Sequence, residues 1–420
     1  MSGTVHIERS AIIGLCETAV THLDDTISRN RRPDGLYHSY NLVRFGDDGS
    51  TALVEHLHEM LEGQVAVLSS GLLSPEERLD VLETLFSSPM YRPDQRSFML
   101  HPARRLPSFL DKNVVPPTHV TTNPLLAALV AAGDTSIILV DTDGRYRFNA
   151  EFQNLSDLDA GLDLLAGDEH WRQLVFDHRC AITATYEEVF HHHAYTGRSS
   201  SMYGYEGIGS IYWHMVAKLL VAAQESLVEA ADQGASPNVV RSLTEVYWRI
   251  RSGLGFEKTA VEFGAFPIDA YSHTPAHAGA QQPGMTGQVK EELLTRPLEL
   301  GLRVESGEIR FDPILLRARE FLSEPEIWQV LGVDGQREVI ELPARSLGMT
   351  ICQVPVVVAL TDGPARVEIQ RVDGTRTRVE GLRLDRDTSS AVFERTGDVV
   401  RIHAFIPASA TDVVCAARWR

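Results

Sequence analysis

Through most of the first 300 residues apolar side chains recur every three to four positions, the spacing of amphipathic helices, and beyond that the spacing shortens to two, that of strands. The longer period predicts helices over 6–29, 51–66, 75–87, 156–166, 168–192, 206–232, 237–252 and 285–300. Their starts carry matching local chemistry. Ser74-Pro75-Glu76-Glu77 supplies an N-cap hydroxyl, a first-turn proline and two acids where the helix dipole favours them, and Ser236-Pro237 repeats the first two. Asp143-Gly144, within 134–152, marks a small hairpin between helices. From 303 onward, RVESGEIRF, REVIELP, TICQVPVVVAL, ARVEIQRV, TRVEGLRL, AVFERTG and VVRIHAFIP read as strands separated by Gly, Asp and Pro turns, short enough to favour an antiparallel sandwich. The expected fold is mainly α with a C-terminal β domain: a helical domain at 1–302 and an antiparallel β-sandwich at 303–420.

Long polar-aromatic loops at 30–48, 89–122, 194–205 and 253–284 separate several of the helices, and loops on a rigid scaffold are where binding residues gather. Charge narrows what they bind. Acidic residues exceed basic ones by 57 to 39, a net charge of −18, and no Lys/Arg run forms a stripe, so nucleic acid and anionic membrane are poor partners. No segment approaches the roughly 18 uncharged apolar residues of a membrane span. The first 25 residues carry acids within their apolar pattern, without the basic start or small-residue cleavage site of a secretory leader. Cys16, Cys180, Cys352 and Cys415 stand far apart with no CxxC pair, the usage expected of reduced core thiols in a cytoplasmic protein.

The densest collection of binding chemistry is 264–292, where Gly and Pro forbid a long regular element while Tyr271, His273, His277, Gln281, Gln282 and Gln288 offer neutral donors and acceptors. Neutral amides suit a polyhydroxylated ligand better than an ion, although a connector of this length can also be only a connector. The second collection is 197–214. Glu206 falls near a helix start, where the dipole favours its anion, among Tyr203, Tyr205, Trp213 and His214. A helix-start acid and core aromatics would produce the same pattern.

Two further loops repeat an Arg-Pro-Asp tripeptide: Arg32-Pro33-Asp34, followed by Tyr37, His38 and Tyr40, and Arg92-Pro93-Asp94, followed by Gln95. A turn role accounts for either Asp by itself, and the polar-aromatic company makes each a candidate site carboxylate. No metal is expected. Neighbours in His191-His192-His193 would point about 100° apart on a helix, and Pro275 breaks any helix aligning His273 with His277. Neither a P-loop, a dinucleotide fingerprint nor a GxSxG elbow is present.

The stretch from Glu299-Leu300-Gly301-Leu302-Arg303 through Asp312-Pro313-Ile314-Leu315-Leu316 resembles the passage from the last barrel helix into the terminal strands of six-hairpin α/α-barrel carbohydrate enzymes, the cellobiose-phosphorylase-like and glucoamylase-like groups. The resemblance implies an α/α toroid or partial (α/α)6 barrel followed by a β-sandwich. It also implies a glycoside hydrolase or phosphorylase acting on a β-linked glucoside or oligosaccharide. In such an enzyme Glu206 would be the general acid and Asp34 or Asp94 its partner carboxylate. Tyr37, His38, Arg92, Gln95, Tyr203, Tyr205 and Trp213 would line the sugar site, with His273, His277, Gln281, Gln282 and Gln288 as clamp. No cofactor is expected beyond inorganic phosphate as co-substrate of a phosphorylase. A non-catalytic carbohydrate-binding or assembly subunit is the alternative, and both a homo-oligomer and a partner catalytic chain stay open.

Overall fold

The computed structural model describes residues 7–46, 49–102, 108–191, 195–196, 202–203, 213–254 and 286–409. The chain gathers into two compact units. One comprises Met1–Phe98, Ile211–Gly264 and Gly284–Arg420; the other, Met99–Ser210 with Ala265–Pro283, interrupts it in sequence.

The first unit begins with α1 (Arg9–Arg29), a helix without a buried side chain. Strands β1 (Asn41–Phe45) and β2 (Ala52–His56) follow as an antiparallel hairpin. The expected helix over 51–66 is therefore corrected: its first part is β2, and only α2 (Leu61–Leu68) is helical. Gly46 N–H donates to Thr51 O at 2.9 Å, and Gly49 takes φ +67°, which closes the turn that pairs the strands. Helix α3 (Pro75–Ser87) starts in a complete capping box between Ser74 and Glu77. Two short strands, β3 (Tyr91–Arg92) and β4 (Ser97–Phe98), close the segment, with Phe86, Tyr91 and Phe98 clustered edge to face.

In the second unit α4 (Phe109–Lys112), α5 (Pro117–Thr122) and α6 (Pro124–Ala132) precede the hairpin β5 (Ile138–Val140) and β6 (Tyr146–Phe148), which lies where Asp143-Gly144 predicts it. Asp141 holds the turn: its Oδ1 accepts from Asp143 and Arg145 N–H, and its Oδ2 from Arg147 Nε at 2.6 Å. Arg147, largely buried, also donates to the carbonyls of Leu110 and Asn113, while the Asn113 side chain pairs with both backbone groups of Phe148 like an extra strand. Helices α7 (Leu155–Ala166) and α8 (Glu169–Phe190) complete a core of Leu125, Leu129, Ile138, Phe148, Leu162, Ile182 and Tyr186. Strands β7 (Tyr195–Thr196) and β8 (Met202–Tyr203) pair beyond it.

The chain returns to the first unit with α9 (Trp213–Asp232), α10 (Pro237–Arg251) and α11 (Thr286–Glu299). Helix α9 packs on α2, α3, α10 and α11. It buries Val216, Leu219, Leu220, Ala223 and Leu227, a stripe at helical spacing. After α10, Gly253 comes so near the Arg96 carbonyl that a Cβ would lie 2.0 Å from the oxygen. At the end of α11 a fully buried carboxylate, Glu299, accepts from Tyr247 Oη at 2.7 Å, Arg251 Nε at 3.0 Å and Arg296 Nη1 at 3.0 Å. Arg296 passes on to Glu320, which also meets Arg317, and the Arg317 guanidinium carbon sits 3.4 Å over the Trp248 ring.

From Glu299 the chain runs into β9 (Leu302–Glu305) and β10 (Glu308–Phe311), a hairpin turned by Ser306 and Gly307 at φ +52° and +81°. Strands β11 (Glu326–Leu331) and β12 (Arg337–Leu342) form a second hairpin. A five-stranded sheet follows, made of β13 (Ser346–Ile351), β14 (Val354–Thr361), β15 (Arg366–Arg371), β16 (Arg376–Glu380) and β17 (Val399–Pro407), in the order β13-β14-β17-β15-β16. Helix α12 (Arg386–Phe393) links its last two strands. One face of the sheet, with Val354, Val356, Val358, Ile369 and Ile402, packs on Ile309, Phe311, Leu384 and Val392; the other carries Val357 against Val330, Ile340 and Leu342. Burial on both faces explains the unbroken apolar run of β14.

Two expectations are corrected here. The sheet is mixed rather than antiparallel, because β17 enters between β14 and β15 and runs parallel to β14. AVFERTG begins inside α12, whose N-cap Asp385 accepts from Thr388 N–H at 2.7 Å, rather than forming a strand. The fold is thus substantially helical with a C-terminal mixed sheet, and the described helices close no barrel. The cysteine expectation also changes: Cys16 and Cys180 are exposed and Cys352 half-exposed, while Cys415 lies outside the described residues. No helix among the described residues is long and apolar enough to cross a membrane.

Candidate functional site

The two Arg-Pro-Asp tripeptides build the same turn. In each, proline occupies the second position and the arginine carbonyl accepts from the backbone three residues on, Gly35 N–H in one and Gln95 N–H in the other, both at 3.1 Å. The arginine then reaches over the proline to its own aspartate. Arg32 donates through Nε and Nη2 to Asp34 at 3.1 and 2.8 Å, and Arg92 donates likewise to Asp94 at 2.8 and 2.6 Å. Asp34 additionally accepts Leu36 N–H, and Arg32 also meets Glu59 at 3.1 Å. The arginine bonds hold both aspartate carboxyls below the usual range, so each is an anion paired with its own arginine.

The 30–41 loop is fastened from below by Gln64, which is fully buried. Its Oε1 accepts Tyr37 N–H at 2.9 Å, and its Nε2 donates to Tyr37 O and Met60 O at 2.8 and 3.0 Å. A Cβ on Gly63 would meet Ser39 Oγ at 2.0 Å, so α2 touches the loop backbone directly. Tyr37 is thereby sunk to 3% exposure, and burial raises its hydroxyl pKa. His38 stacks on His56 with ring centroids 4.0 Å apart and planes 13° from parallel, and its Nδ1 is buried without a hydrogen-bond partner. His56 Nδ1 faces Asn41 Oδ1 at 2.6 Å.

Burial first, then the neighbouring His56 and Arg32, lowers the pKa of His38. The folded chain thus prefers the neutral ring, and the stability this adds is present above the ordinary histidine pKa of about 6.5 and lost as pH falls through the lowered value. His38→Phe, which keeps the ring stack without the charge, is expected to flatten the fall of Tm between about pH 7 and 5. Parallel Tm–pH curves for variant and wild type would show that another group carries the slope.

Arg31, Asp34 and Tyr37 face Glu77, Asp80, Glu83 and Thr84 of α3 across an open cleft of about 300 Å³. Glu77 is held ionised by the Ser74 backbone N–H of its capping box, with Arg31 3.6 Å away. Four carboxyl side chains against one arginine make this cleft hostile to an anion, phosphate included, and accessible to neutral hydroxyls. Sequence reasoning reads Glu77 only as a helix-start acid and does not single out Asp80, Glu83 or Thr84. Glu77, Asp80 and Thr84 carry a readable signal, the i, i+3, i+7 spacing of one helix face.

Not all the candidates gather here. Tyr37 and Asp34 line the cleft; Arg92 at the end of β3, with Asp94 and Gln95 in the turn that follows it, does not. Glu206, Tyr205, His273, His277, Gln281 and Gln282 lie outside the described residues, and Tyr203, Trp213 and Gln288 are described only as backbone, in β8, α9 and α11. Of the triple histidine, His191 ends α8 at φ +55°, and His192 and His193 lie outside. Among the described residues no group of three or more His, Cys, Asp or Glu could hold a metal ion.

Residues 106–193 match the family model described as GH149 phosphorylase insertion domain 2. The matched stretch falls within the second compact unit, inside Met99–Ser210. No curated protein matches the chain. The likeness points to a carbohydrate-phosphorylase-like family, and not to the cellobiose-phosphorylase or glucoamylase barrel in particular; it does not extend to 299–316.

Proposed function

We propose that the chain serves a glycoside phosphorylase, cleaving a β-linked glucoside or oligosaccharide by glycosyl transfer to inorganic phosphate. A phosphate oxygen bonds to the anomeric carbon as the glycosidic C–O bond breaks, and a carboxylic acid gives its proton to the departing oxygen. The match of 106–193 to a phosphorylase insertion domain, falling within one compact unit, carries this reading.

Among the described residues, the state of the two aspartates makes each a poor second carboxylate for hydrolysis. Hydrolysis asks for a second carboxylate that is free to act on water or the sugar. Asp34 and Asp94 spend theirs on arginine forks. A phosphorylase needs one carboxylic acid, for which Glu206 is the candidate, with Tyr203, Tyr205 and Trp213 against the sugar. His273, His277, Gln281, Gln282 and Gln288 form the sugar or phosphate clamp; the acidic cleft at Asp34 is unsuited to the phosphate.

The second reading, a non-catalytic carbohydrate-binding or assembly subunit, draws on the same forks, since Asp34 and Asp94 both have turn duties. Incubation with β-linked gluco-oligosaccharides, with and without phosphate, separates the two. Sugar 1-phosphate formed only with phosphate supports the enzyme, and sugar release that ignores phosphate makes it a hydrolase. Calorimetric binding without any product selects the subunit.

A further inference from the structure

We infer that the cleft between the 31–37 turn and α3 binds an aliphatic diamine or longer polyamine, a flexible cation whose ammonium groups stand a few methylenes apart. Binding there is independent of the phosphorolysis proposed above. Tyr37 lines the cleft and is 3% exposed, yet among the described residues its hydroxyl has no hydrogen-bond partner. Its bonds to Gln64 all run through its backbone. The charges of Arg31 and Glu77, both cleft residues, act on that hydroxyl, so it faces the cleft. A buried tyrosine hydroxyl ordinarily finds a partner inside the protein, and this one is left for a ligand. Thr84 of α3 repeats the pattern. A Cβ on Gly35 would stand 3.8 Å from its Oγ1, and among the described residues that hydroxyl makes no hydrogen bond, not even the common one back to the preceding helical turn.

Charge selects the ligand. Of the four carboxyls in the cleft, Asp34 is engaged by Arg32, and Glu77 lies 3.6 Å from Arg31. Asp80 and Glu83 have no ion pair among the described residues. Two uncompensated acids favour two positive charges, which a neutral sugar does not bring, and the net charge of −18 concentrates cations around the chain. Among the described residues no group of three or more His, Cys, Asp or Glu could hold a metal ion, which leaves an organic cation. Residues three apart on a helix, as Asp80 and Glu83 are, have Cβ atoms about 5–6 Å apart, a spacing that three or four methylenes bridge between two ammonium groups. Pro33, Val81 and the Tyr37 ring give those methylenes apolar surface. An alkylammonium is charged at neutral pH, as the lysine pKa of about 10.4 shows, and has only donors to offer. The carboxylates of Asp80 and Glu83 and the hydroxyls of Tyr37 and Thr84 are acceptors that match it.

The test is calorimetric titration of the full chain with putrescine at low ionic strength, where screening is weakest. Expected is one-to-one binding at least about tenfold tighter than that of n-butylamine, Mg²⁺ or glucose, each titrated alike. Asp80→Asn with Glu83→Gln should weaken putrescine at least about tenfold, and Tyr37→Phe, which removes only the hydroxyl, at least about threefold. Circular dichroism should show both variants folded, since the two acids are exposed and the tyrosine hydroxyl gives up no bond. Thr84→Val reads the second hydroxyl with the same expected loss, so the test stands even where Tyr37→Phe does not fold. Butylamine or Mg²⁺ binding as tightly as putrescine, or putrescine binding indifferent to the substitutions, reduces the cleft to a diffuse counterion surface and overturns the proposal. Glucose binding more tightly than putrescine overturns it in favour of a neutral sugar. No binding at about 10 mM putrescine overturns it outright.

Discussion

Glu299→Ala is expected to lower the unfolding free energy by about 3–5 kcal/mol, the cost of removing one partner from a buried ion pair. Glu299 is fully buried, and Arg251, whose Nε it receives at 3.0 Å, is 1% exposed. Taking the carboxylate away removes the acceptor that Arg251 Nε meets and leaves the guanidinium in the protein interior without that ion pair. The Tyr247 hydroxyl, whose pKa burial and then the charge of Glu299 push well up, loses its acceptor as well. Glu299→Gln keeps an acceptor for both and should cost less, so the difference between the two variants measures the charge. Urea unfolding checks this: the midpoint should fall while the slope stays constant. A loss below about 1 kcal/mol would mean that water reaches Arg251 once the carboxylate is gone.

The neighbouring Glu320 adds an acid-sensitive element to the same network. Burial raises its pKa, but the Arg296 bond and the charges of Arg296 and Arg317 outweigh burial and leave it lowered. Its contribution to stability is present above the ordinary carboxylate pKa and lost as pH falls through the lowered value.

This network shows where sequence reading stops. The stretch beginning at Glu299 is legible as the passage from a helix into terminal strands, and α11 does run into the β9–β10 hairpin there. Nothing in one dimension brings Arg251, 48 positions earlier, onto that carboxylate. Local chemistry reads well: Ser74-Pro75 and Ser236-Pro237 start α3 and α10, and Asp143-Gly144 turns β5 into β6, because each signal acts within a few residues. Helix α6 had the same kind of signal, Asn123-Pro124 at its start and Gly133 at its end, and lay beyond the helices that spacing picked out. Errors arose where two periods compete. Ala52–His56 carries apolar residues that fit either period, and the turn at Gly46–Thr51 decides for the strand. Val392 and Phe393 look like strand residues until Asp385 caps the turn before them. The mixed sheet was unreadable, since only the three-dimensional place of β17 makes it parallel to β14.

Of the candidate site, the Asp34 loop was legible as a turn with polar company, and the acidic wall opposite was not noticed. Glu206→Gln is expected to lower phosphorolysis by at least about 100-fold with Tm unchanged, because a positioned acid typically contributes 10²–10⁴ and Gln keeps the shape without the proton. Asp34→Asn and Asp94→Asn should behave oppositely. Each carboxylate is bound to an arginine two residues away and is substantially exposed, so its loss should cost no more than about 1 kcal/mol of stability and leave turnover within a few-fold. The pH dependence identifies the role. Both aspartate pKa values are lowered, so their stabilisation is complete above the ordinary carboxylate pKa and disappears as pH falls through the lowered one, and each Asn variant should flatten the acid limb of the Tm–pH curve. Steady-state assays with the β-linked substrate and phosphate, run beside thermal melts from about pH 3 to 7, test all three variants. A 100-fold loss in Asp34→Asn with Glu206→Gln fully active would move the chemistry into the cleft beside α3. An unchanged turnover in all three would leave the subunit reading in place.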